Sequence, residues 1–478
     1  MRSSSCSPSS VPSSPSVSTL TSLPPPAPQI PSAFRQSLRS WWSNVGQKQA
    51  QISEQRILLR LPYFSKYSKP PSTTPEAPLT VTSSLVPLSK PKHYLNTLAI
   101  SSTDPDTAPS AAPPAVLLHG YGAGLGFFFR NIPSLGWWAE QRRTSVYALD
   151  WLGMGRSARV PFTVKAKRDD VSARVHEAES FFIDSLEEWR EAMGLERMTL
   201  IGHSLGAYLS VAYALRHPER VSKLILLSPA GVPRGPNYTE ISREMTDHGA
   251  DPEGEHHSHP DRDSSNAEPA TGKRLAGMRS GQKKHSHQAE PQSFGRKVFT
   301  YLWEEGWSPF QVVRSTLFWG PMLVGKYSSR RFQGLDEEET RDLHDYILNI
   351  TMAKGSGEYC ISHLLEPGAH ARMPLVDRVG ALKIPITFVY GDHDWMDPLG
   401  GMQSVEALRQ AGNGEGKMYI VNNAGHHLYL DNPDAVNALL LKELDKQHQS
   451  YSHLRNDSDS TDSSSEHSSP DGYNAFYS

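Results

Sequence analysis

Five residues, Gly202-His203-Ser204-Leu205-Gly206, stand between an apolar run, Met198-Thr199-Leu200-Ile201, and a helix-forming stretch, Ala207-Tyr208-Leu209-Ser210-Val211-Ala212-Tyr213-Ala214-Leu215. A strand that turns at once into a helix holds its corner residue in a strained conformation, and glycines on either side remove the Cβ atoms that would collide there. The pattern therefore predicts a nucleophile elbow. Ser204 stands at the carboxyl end of a parallel strand with its hydroxyl pushed out, and the helix N-terminus behind it offers backbone N–H groups that no helical carbonyl uses.

The elbow fixes where the rest of such a site must lie. In α/β-hydrolases the nucleophile is followed in chain order by an acid and then a histidine, and a second oxyanion donor comes from a loop upstream. Upstream, Ala115-Val116-Leu117-Leu118 reads as a buried strand running into His119-Gly120-Tyr121-Gly122-Ala123-Gly124, which makes the N–H of Tyr121 the expected partner of the N–H of Leu205. Downstream, the strand Ile386-Thr387-Phe388-Val389-Tyr390 opens into Gly391-Asp392-His393-Asp394-Trp395-Met396-Asp397-Pro398. Asp394 is favoured as the acid because it follows the strand-ending glycine by three residues; Asp397 is the alternative, and Asp392 reads as a turn residue bonding nearby backbone. The last strand, Met418-Tyr419-Ile420-Val421, precedes Asn422-Asn423-Ala424-Gly425-His426-His427, which makes His426 the general base.

A chain of 478 residues can hold one large α/β domain, a mostly parallel sheet with flanking helices, plus extensions. With 48 basic and 51 acidic residues the net charge is −3, which gives no polyelectrolyte character and no reason to expect nucleic acid. Cys6 and Cys360 are too far apart in sequence to suggest a disulfide framework or a cysteine zinc site. No run of about 18 apolar residues suggests a membrane-spanning helix. A triad of this kind needs no metal and no dissociable cofactor.

The remaining segments differ in composition. Residues 1–53 contain no acid, many serines and prolines, and Arg2, Arg35, Arg39 and Lys48. Two readings stand, an organelle transit leader and ordinary low-complexity disorder. Within 34–45, Phe34, Leu38, Trp41, Trp42 and Val45 recur at helical spacing beside Arg35 and Arg39, as in a helix lying on a bilayer or one packed on the domain. Residues 54–232 and 377–446 read as the two parts of the catalytic domain, and 233–376 as an inserted helical lid, since the connection far exceeds what the fold needs. Inside it, 246–293 is polar and carries His248, His256, His257, His259, His285 and His287; disorder is favoured over metal binding because periodicity is missing. The aromatic stretches Phe299–Trp307 and Leu317–Val324 suit a hydrophobic substrate or plain packing. Residues 447–478 form an acidic, Ser-rich tail that cannot build a core.

Beyond the elbow, four further segments carry a family likeness: His119-Gly120-Tyr121-Gly122-Ala123-Gly124-Leu125-Gly126, Asp150-Trp151-Leu152-Gly153-Met154-Gly155-Arg156-Ser157, Phe182-Ile183-Asp184-Ser185-Leu186-Glu187-Glu188-Trp189-Arg190 and Gly425-His426-His427-Leu428-Tyr429-Leu430-Asp431-Asn432-Pro433. Over roughly residues 39–444 the chain resembles the α/β-hydrolase-domain lipid enzymes that include the mammalian lipid-droplet lipase coactivator, its N-acyl-phospholipid-hydrolysing relative and the yeast mitochondrial cardiolipin deacylase. The resemblance implies a phospholipid or lysophospholipid substrate and a peripheral membrane or lipid-droplet surface. With the acid-free leader it implies a mitochondrial, membrane-associated location, with lipid droplet or cytoplasm as the alternatives. It further implies acyl-CoA as a co-substrate if lysophosphatidic acid is acylated, an activity linked to an H-x-x-x-x-D pattern that here runs from His426 to Asp431. Asp431 opens the final helix segment, with Asn432 suited to the N-cap and Pro433 to the first helical position, so a structural role is favoured for it. The coactivator branch lacks the serine and works by binding; Ser204 sets this chain apart from it and favours an enzyme over a lipase-regulating binding protein.

Overall fold

The computed structural model describes residues 24–43, 46–62, 79–102, 112–235, 267–270 and 294–446. Its centre is a nine-stranded sheet made of β1 (Leu79–Pro87), β2 (Tyr94–Ser102), β3 (Ala115–Leu118), β4 (Ser145–Leu149), β5 (Met198–His203), β6 (Val221–Leu227), β7 (Ala267–Pro269), β10 (Ile386–Gly391) and β11 (Gly416–Val421); β8 (Leu365–Glu366) and β9 (His370–Ala371) form a separate short hairpin. The spatial order is β1-β2-β4-β3-β5-β6-β10-β11-β7. The run from β4 to β11 is parallel, and the pairings β1 with β2, β2 with β4 and β7 with β11 are antiparallel. Every residue of β3, β5, β6 and β10 is buried, as expected for central parallel strands covered on both faces, whereas the edge strand β1 stays largely half-exposed.

Eleven helices of at least seven residues surround the sheet among the described residues: α1 (Phe34–Ser43), α2 (Gln47–Leu59), α3 (Ile132–Arg142), α4 (Val171–Ala192), α5 (Leu205–Arg216), α6 (Phe294–Glu304), α7 (Pro309–Ser315), α8 (Gly320–Arg331), α9 (Glu337–Met352), α10 (Pro398–Gln410) and α11 (433–446). One core holds Phe182, Trp189, Tyr208, Tyr213 and Leu408 from α4, α5 and α10; the other, on the opposite face, holds Ile57, Leu135, Tyr346, Val436 and Leu440 from α2, α3, α9 and α11. Helix starts are set by side chains that accept the first free N–H groups. Asp170 accepts from Ala173 N, Asp336 from Glu339 N and Ser308 from Gln311 N. Glu337, Glu338 and Glu339 add favourable charge at the first turn of α9.

Two expectations need correction. The N-terminal segment through residue 53 is not wholly disordered, because its residues 24–43 and 46–53 are placed. Ser37 Oγ donates to Phe318 O at 2.6 Å, Ser53 is buried, and Pro25 O accepts at 2.6 Å from Arg56, whose guanidinium also pairs with the buried Asp345 of α9. Serine and proline content pointed to disorder, but contacts with a helix far away in sequence decide the outcome. The polar stretch 246–293 likewise contains β7, whose Ala267, Glu268 and Pro269 pair with Val421, Ile420 and Tyr419 and cover part of the edge of β11. Three residues are too few to display a strand period. The histidines of this stretch, the leader before Pro24 and the tail from 447 lie outside the described residues.

Candidate active site

The elbow at the end of β5 has the expected strain. Ser204 sits at φ 51°, ψ −116°, between strand and α5. A Cβ on Gly202 would lie 2.6 Å from Gly206 O, and one on Gly206 would lie 2.3 Å from Leu118 O, so neither position admits a side chain. Leu205 is the first residue of α5, which leaves its N–H outside the internal bonding of the helix.

Loops after β10 and β11 bring the other two groups to this corner. His426 Nε2 is 3.0 Å from Ser204 Oγ, and His426 Nδ1 is 3.1 Å from Asp394 Oδ1. With the carboxylate as acceptor, Nδ1 carries the ring hydrogen and Nε2 is left to accept from the serine hydroxyl. Asp394 is held by a second bond, from Met396 N at 3.0 Å, and Trp395 lies against the imidazole with ring centres 4.9 Å apart. All three residues of this line are buried.

The competing acids have other tasks. Asp397 accepts from Leu399 N at 2.9 Å and caps α10. Asp392 accepts from Ala424 N at 3.0 Å and from His393 Nδ1 at 2.8 Å, tying the β10 loop to the loop that carries His426. Asp431 accepts from Gly425 N at 2.9 Å and from Arg331 Nη2 at 2.9 Å. It joins the histidine loop to the lid helix α8. Asn432 caps the final helix through Ala435 N at 3.2 Å.

The oxyanion loop runs tightly against the elbow. A Cβ on Gly120 would be 2.8 Å from His203 Nδ1 and 3.0 Å from Ser204 Cβ, so Gly120 lets the Tyr121 peptide lie beside the nucleophile. The Tyr121 ring stacks on Phe310 of α7, 5.2 Å between centres, which places the lid directly over the loop. Trp303 of α6 is buried with its Nε1 donating to Leu365 O at 3.0 Å, so that lid aromatic serves packing.

Sequence reasoning assigned no role to His203. Its Nε2 donates to His426 O at 2.9 Å, fixing the backbone of the residue that faces Ser204. Burial, reinforced by the neighbouring His426, pushes the His203 imidazole well below its usual range. Burial and then Arg331 do the same to His427, which stacks on Phe127. Both rings are therefore neutral at neutral pH. The signal for His203 was present in the elbow itself, but a histidine flanking a nucleophile has no role that spacing alone can assign.

Among the described residues no group of three or more His, Cys, Asp or Glu side chains is placed to hold a metal ion. What the arrangement can do chemically is activate a serine hydroxyl at a helix N-terminus, the geometry of acyl transfer through a covalent ester.

The model of the alpha/beta hydrolase fold family matches residues 113–433. A probable 1-acylglycerol-3-phosphate O-acyltransferase of Oryza sativa subsp. japonica is 34% identical over 72% of this chain and 69% of its own length. The 1-acylglycerol-3-phosphate O-acyltransferase of Arabidopsis thaliana is 33% identical over 74% of this chain and 70% of its own. The (lyso)-N-acylphosphatidylethanolamine lipase of Homo sapiens is 30% identical over 68% and 78%. On the family match and these identities, the chain belongs to the α/β-hydrolase family, in the branch that holds these acyltransferases and lipases.

Proposed function

We propose that the protein is a serine-dependent acyl hydrolase of glycerophospholipids that works on a membrane surface. The observation that carries the proposal is the hydrogen-bonded line from Asp394 through His426 to Ser204 at a strained elbow, in a chain whose relatives are named for phospholipid acyl chemistry. Ser204 Oγ attacks the ester carbonyl while His426 Nε2 takes its proton, and Asp394 steadies the resulting imidazolium. The N–H groups of Tyr121 and Leu205 stabilise the oxyanion. Collapse breaks the ester bond, His426 returns the proton to the departing lysolipid alcohol, and the acyl group remains on Ser204 until water removes it. With acyl-CoA as the donor in place of the phospholipid ester, CoA thiol leaves with the proton from His426, and lysophosphatidic acid in place of water then takes the acyl group from Ser204, a second reading favoured by the two plant relatives' names.

The wild-type protein on vesicles containing phosphatidylethanolamine, its N-acyl form or cardiolipin should release fatty acid from at least one of them. Acyl-CoA with lysophosphatidic acid should reveal the share of transfer. Binding to vesicles without acyl release or transfer on any of them would favour the lipase-regulating binding protein instead.

The membrane surface is supported by the orientation of α1. Its small polar residues Ser37 and Ser40 face the protein, Ser37 Oγ donating to Phe318 O at 2.6 Å, while Phe34, Leu38 and Trp42, spaced four apart, face outward with Trp42 80% exposed. An amphipathic helix normally buries its apolar stripe. Here the stripe points away from the domain, flanked by the exposed Arg35 and Arg39, as suits burial in an anionic bilayer. The lid turn beside it exposes Leu317 and Trp319, and Phe34 packs on Trp319 with ring centres 4.9 Å apart. That turn follows α7, whose Phe310 stacks on Tyr121, so the exposed apolar turn and the element that packs on the loop beside Ser204 are consecutive in the lid.

Leu38→Glu with Trp42→Glu should weaken binding to anionic vesicles by about 1000-fold, since each apolar side chain contributes on the order of 2 kcal/mol when buried. Turnover of a soluble ester should be unchanged. Trp41 is left in place because it packs against the core. Unaltered vesicle binding would exclude α1 as the lipid-facing element. As to the compartment, we propose the mitochondrion on the strength of the acid-free residues 1–23, and fractionation of a tagged chain with lipid droplets or cytosol would overturn it.

A further inference from the structure

The oxyanion loop is pinned from behind by the loop that follows β4. Asp150 Oδ1 accepts from Leu125 N at 2.8 Å, and its Oδ2 accepts from Arg156 N and from Asn96 Nδ2, each at 2.8 Å. The loop closes tightly around this carboxylate: Gly155 lies at φ +50°, and a Cβ there would be 2.2 Å from Asp150 Cγ. Trp151 adds its indole Nε1, which donates to His119 O at 3.0 Å, and the lid helix α9 adds Tyr346 Oη, which accepts from Gly126 N at 3.2 Å. The loop that carries Tyr121 is therefore held on one side of it by Trp151 at His119 and on the other by Asp150 at Leu125.

The second hydrogen of the Asn96 amide and the Arg156 guanidinium converge on one further group. Asn96 Nδ2 donates to Glu54 Oε2 at 2.8 Å, and Arg156 Nη1 donates to Glu54 Oε1. Glu54 belongs to α2 and is fully buried, 42 residues before Asn96 and 102 before Arg156 in sequence. We propose that Glu54 is a positioning residue for the oxyanion loop, delivered beneath it by the N-terminal helix. By occupying the guanidinium it keeps a half-buried cation from drawing Asp150 away from Leu125 N, and by accepting from Asn96 it fixes the amide that grips Asp150 Oδ2. This role rests on the serine-hydrolase reading of the site.

The charge of Glu54 changes within the working range. Burial, working against the pull of Arg156, pushes its carboxyl up to about 7. The charged or titratable groups facing it are Arg156 and Asp150 from the β4 loop and Tyr346 from α9, and burial holds the Tyr346 hydroxyl well above its usual range. Glu54 thus gains its charge as pH rises through neutrality. The folded chain holds this proton more tightly than an unfolded one, so the group's contribution to stability falls as pH rises from 4.5 to about 7. Melting temperature is to be followed beside rate for that reason.

The test compares kcat and KM of the full-length wild type and Glu54→Gln on a soluble ester between about pH 6 and pH 8. The ratio of wild-type to variant kcat should be near one at the acid end and rise to about tenfold at the alkaline end with KM unchanged, a fraction of the 10²- to 10³-fold that loss of an oxyanion donor costs. A ratio independent of pH, or a change confined to KM, would overturn the proposal. Should Glu54→Gln not fold, Asn96→Ser cuts the same link without unpairing Arg156 and carries the same expectation of lower kcat at unchanged KM; an undiminished kcat in it overturns the role. Fluorophosphonate labelling of the wild type separates the two levels. A labelled wild type with a flat ratio removes only the role of Glu54, whereas an unlabelled wild type removes the hydrolase reading and this role with it.

Discussion

Alanine at position 204 will abolish covalent capture by a fluorophosphonate and lower ester turnover by on the order of 10⁴- to 10⁶-fold, the range seen when a triad loses its nucleophile. The substitution isolates the hydroxyl. Alanine keeps the Cβ and the same backbone strain at φ 51°, so the elbow, the N–H of Leu205 and the packing of α5 persist and the melting temperature should hardly move. Because the three residues act as a unit, His426→Ala added to Ser204→Ala should cost little more than either change alone. Vesicle binding through α1 should survive, which separates chemistry from docking within one purified protein. Undiminished turnover in Ser204→Ala would place the nucleophile elsewhere.

Legibility in the sequence followed the range of the interactions. The elbow could be read because strand, glycines, serine and helix are consecutive, and the strands before Tyr121, Asp394 and His426 could be read because each is a short apolar run ending in a glycine or polar turn. The structure brings Ser204, His426 and Asp394 into one hydrogen-bonded line, with Tyr121 and Leu205 beside the nucleophile. What could not be read depends on partners far away. Arg56 meets Asp345 across 289 positions, and nothing in a Ser- and Pro-rich segment announces that it will be fastened to a lid helix. The outward stripe of α1 is the same kind of case: periodicity revealed two faces, but the bonds of Ser37 with Phe318 O and Met322 N, both far away in sequence, say which one the domain keeps. Asp150 and Arg156 stood in a motif whose likeness to a family was visible while their purpose was not, because that purpose is met by Asn96 and Glu54 on other elements.

The acid is where sequence left a choice, and its test has the second-largest expected effect. Asp394→Asn should lower kcat by on the order of 10⁴-fold with little change in KM or stability. An amide at this position can turn its NH₂ toward His426 Nδ1, which then accepts instead of donating. The ring hydrogen moves to Nε2, the atom that must take the proton of Ser204, 3.0 Å away. Asp397→Asn changes the same charge three residues later, yet asparagine accepts from Leu399 N as aspartate does and caps α10 about as well. Its kcat should stay within about twofold of wild type, and even Asp397→Ala should lose only about 1 kcal/mol of stability. The comparison is matched in charge, in chemistry and in distance along the chain, so a reversed ranking in folded proteins would move the role to Asp397. It would require the loop after β10 to rearrange before reaction, since Asp394 Oδ1 is the carboxylate oxygen bonded to His426.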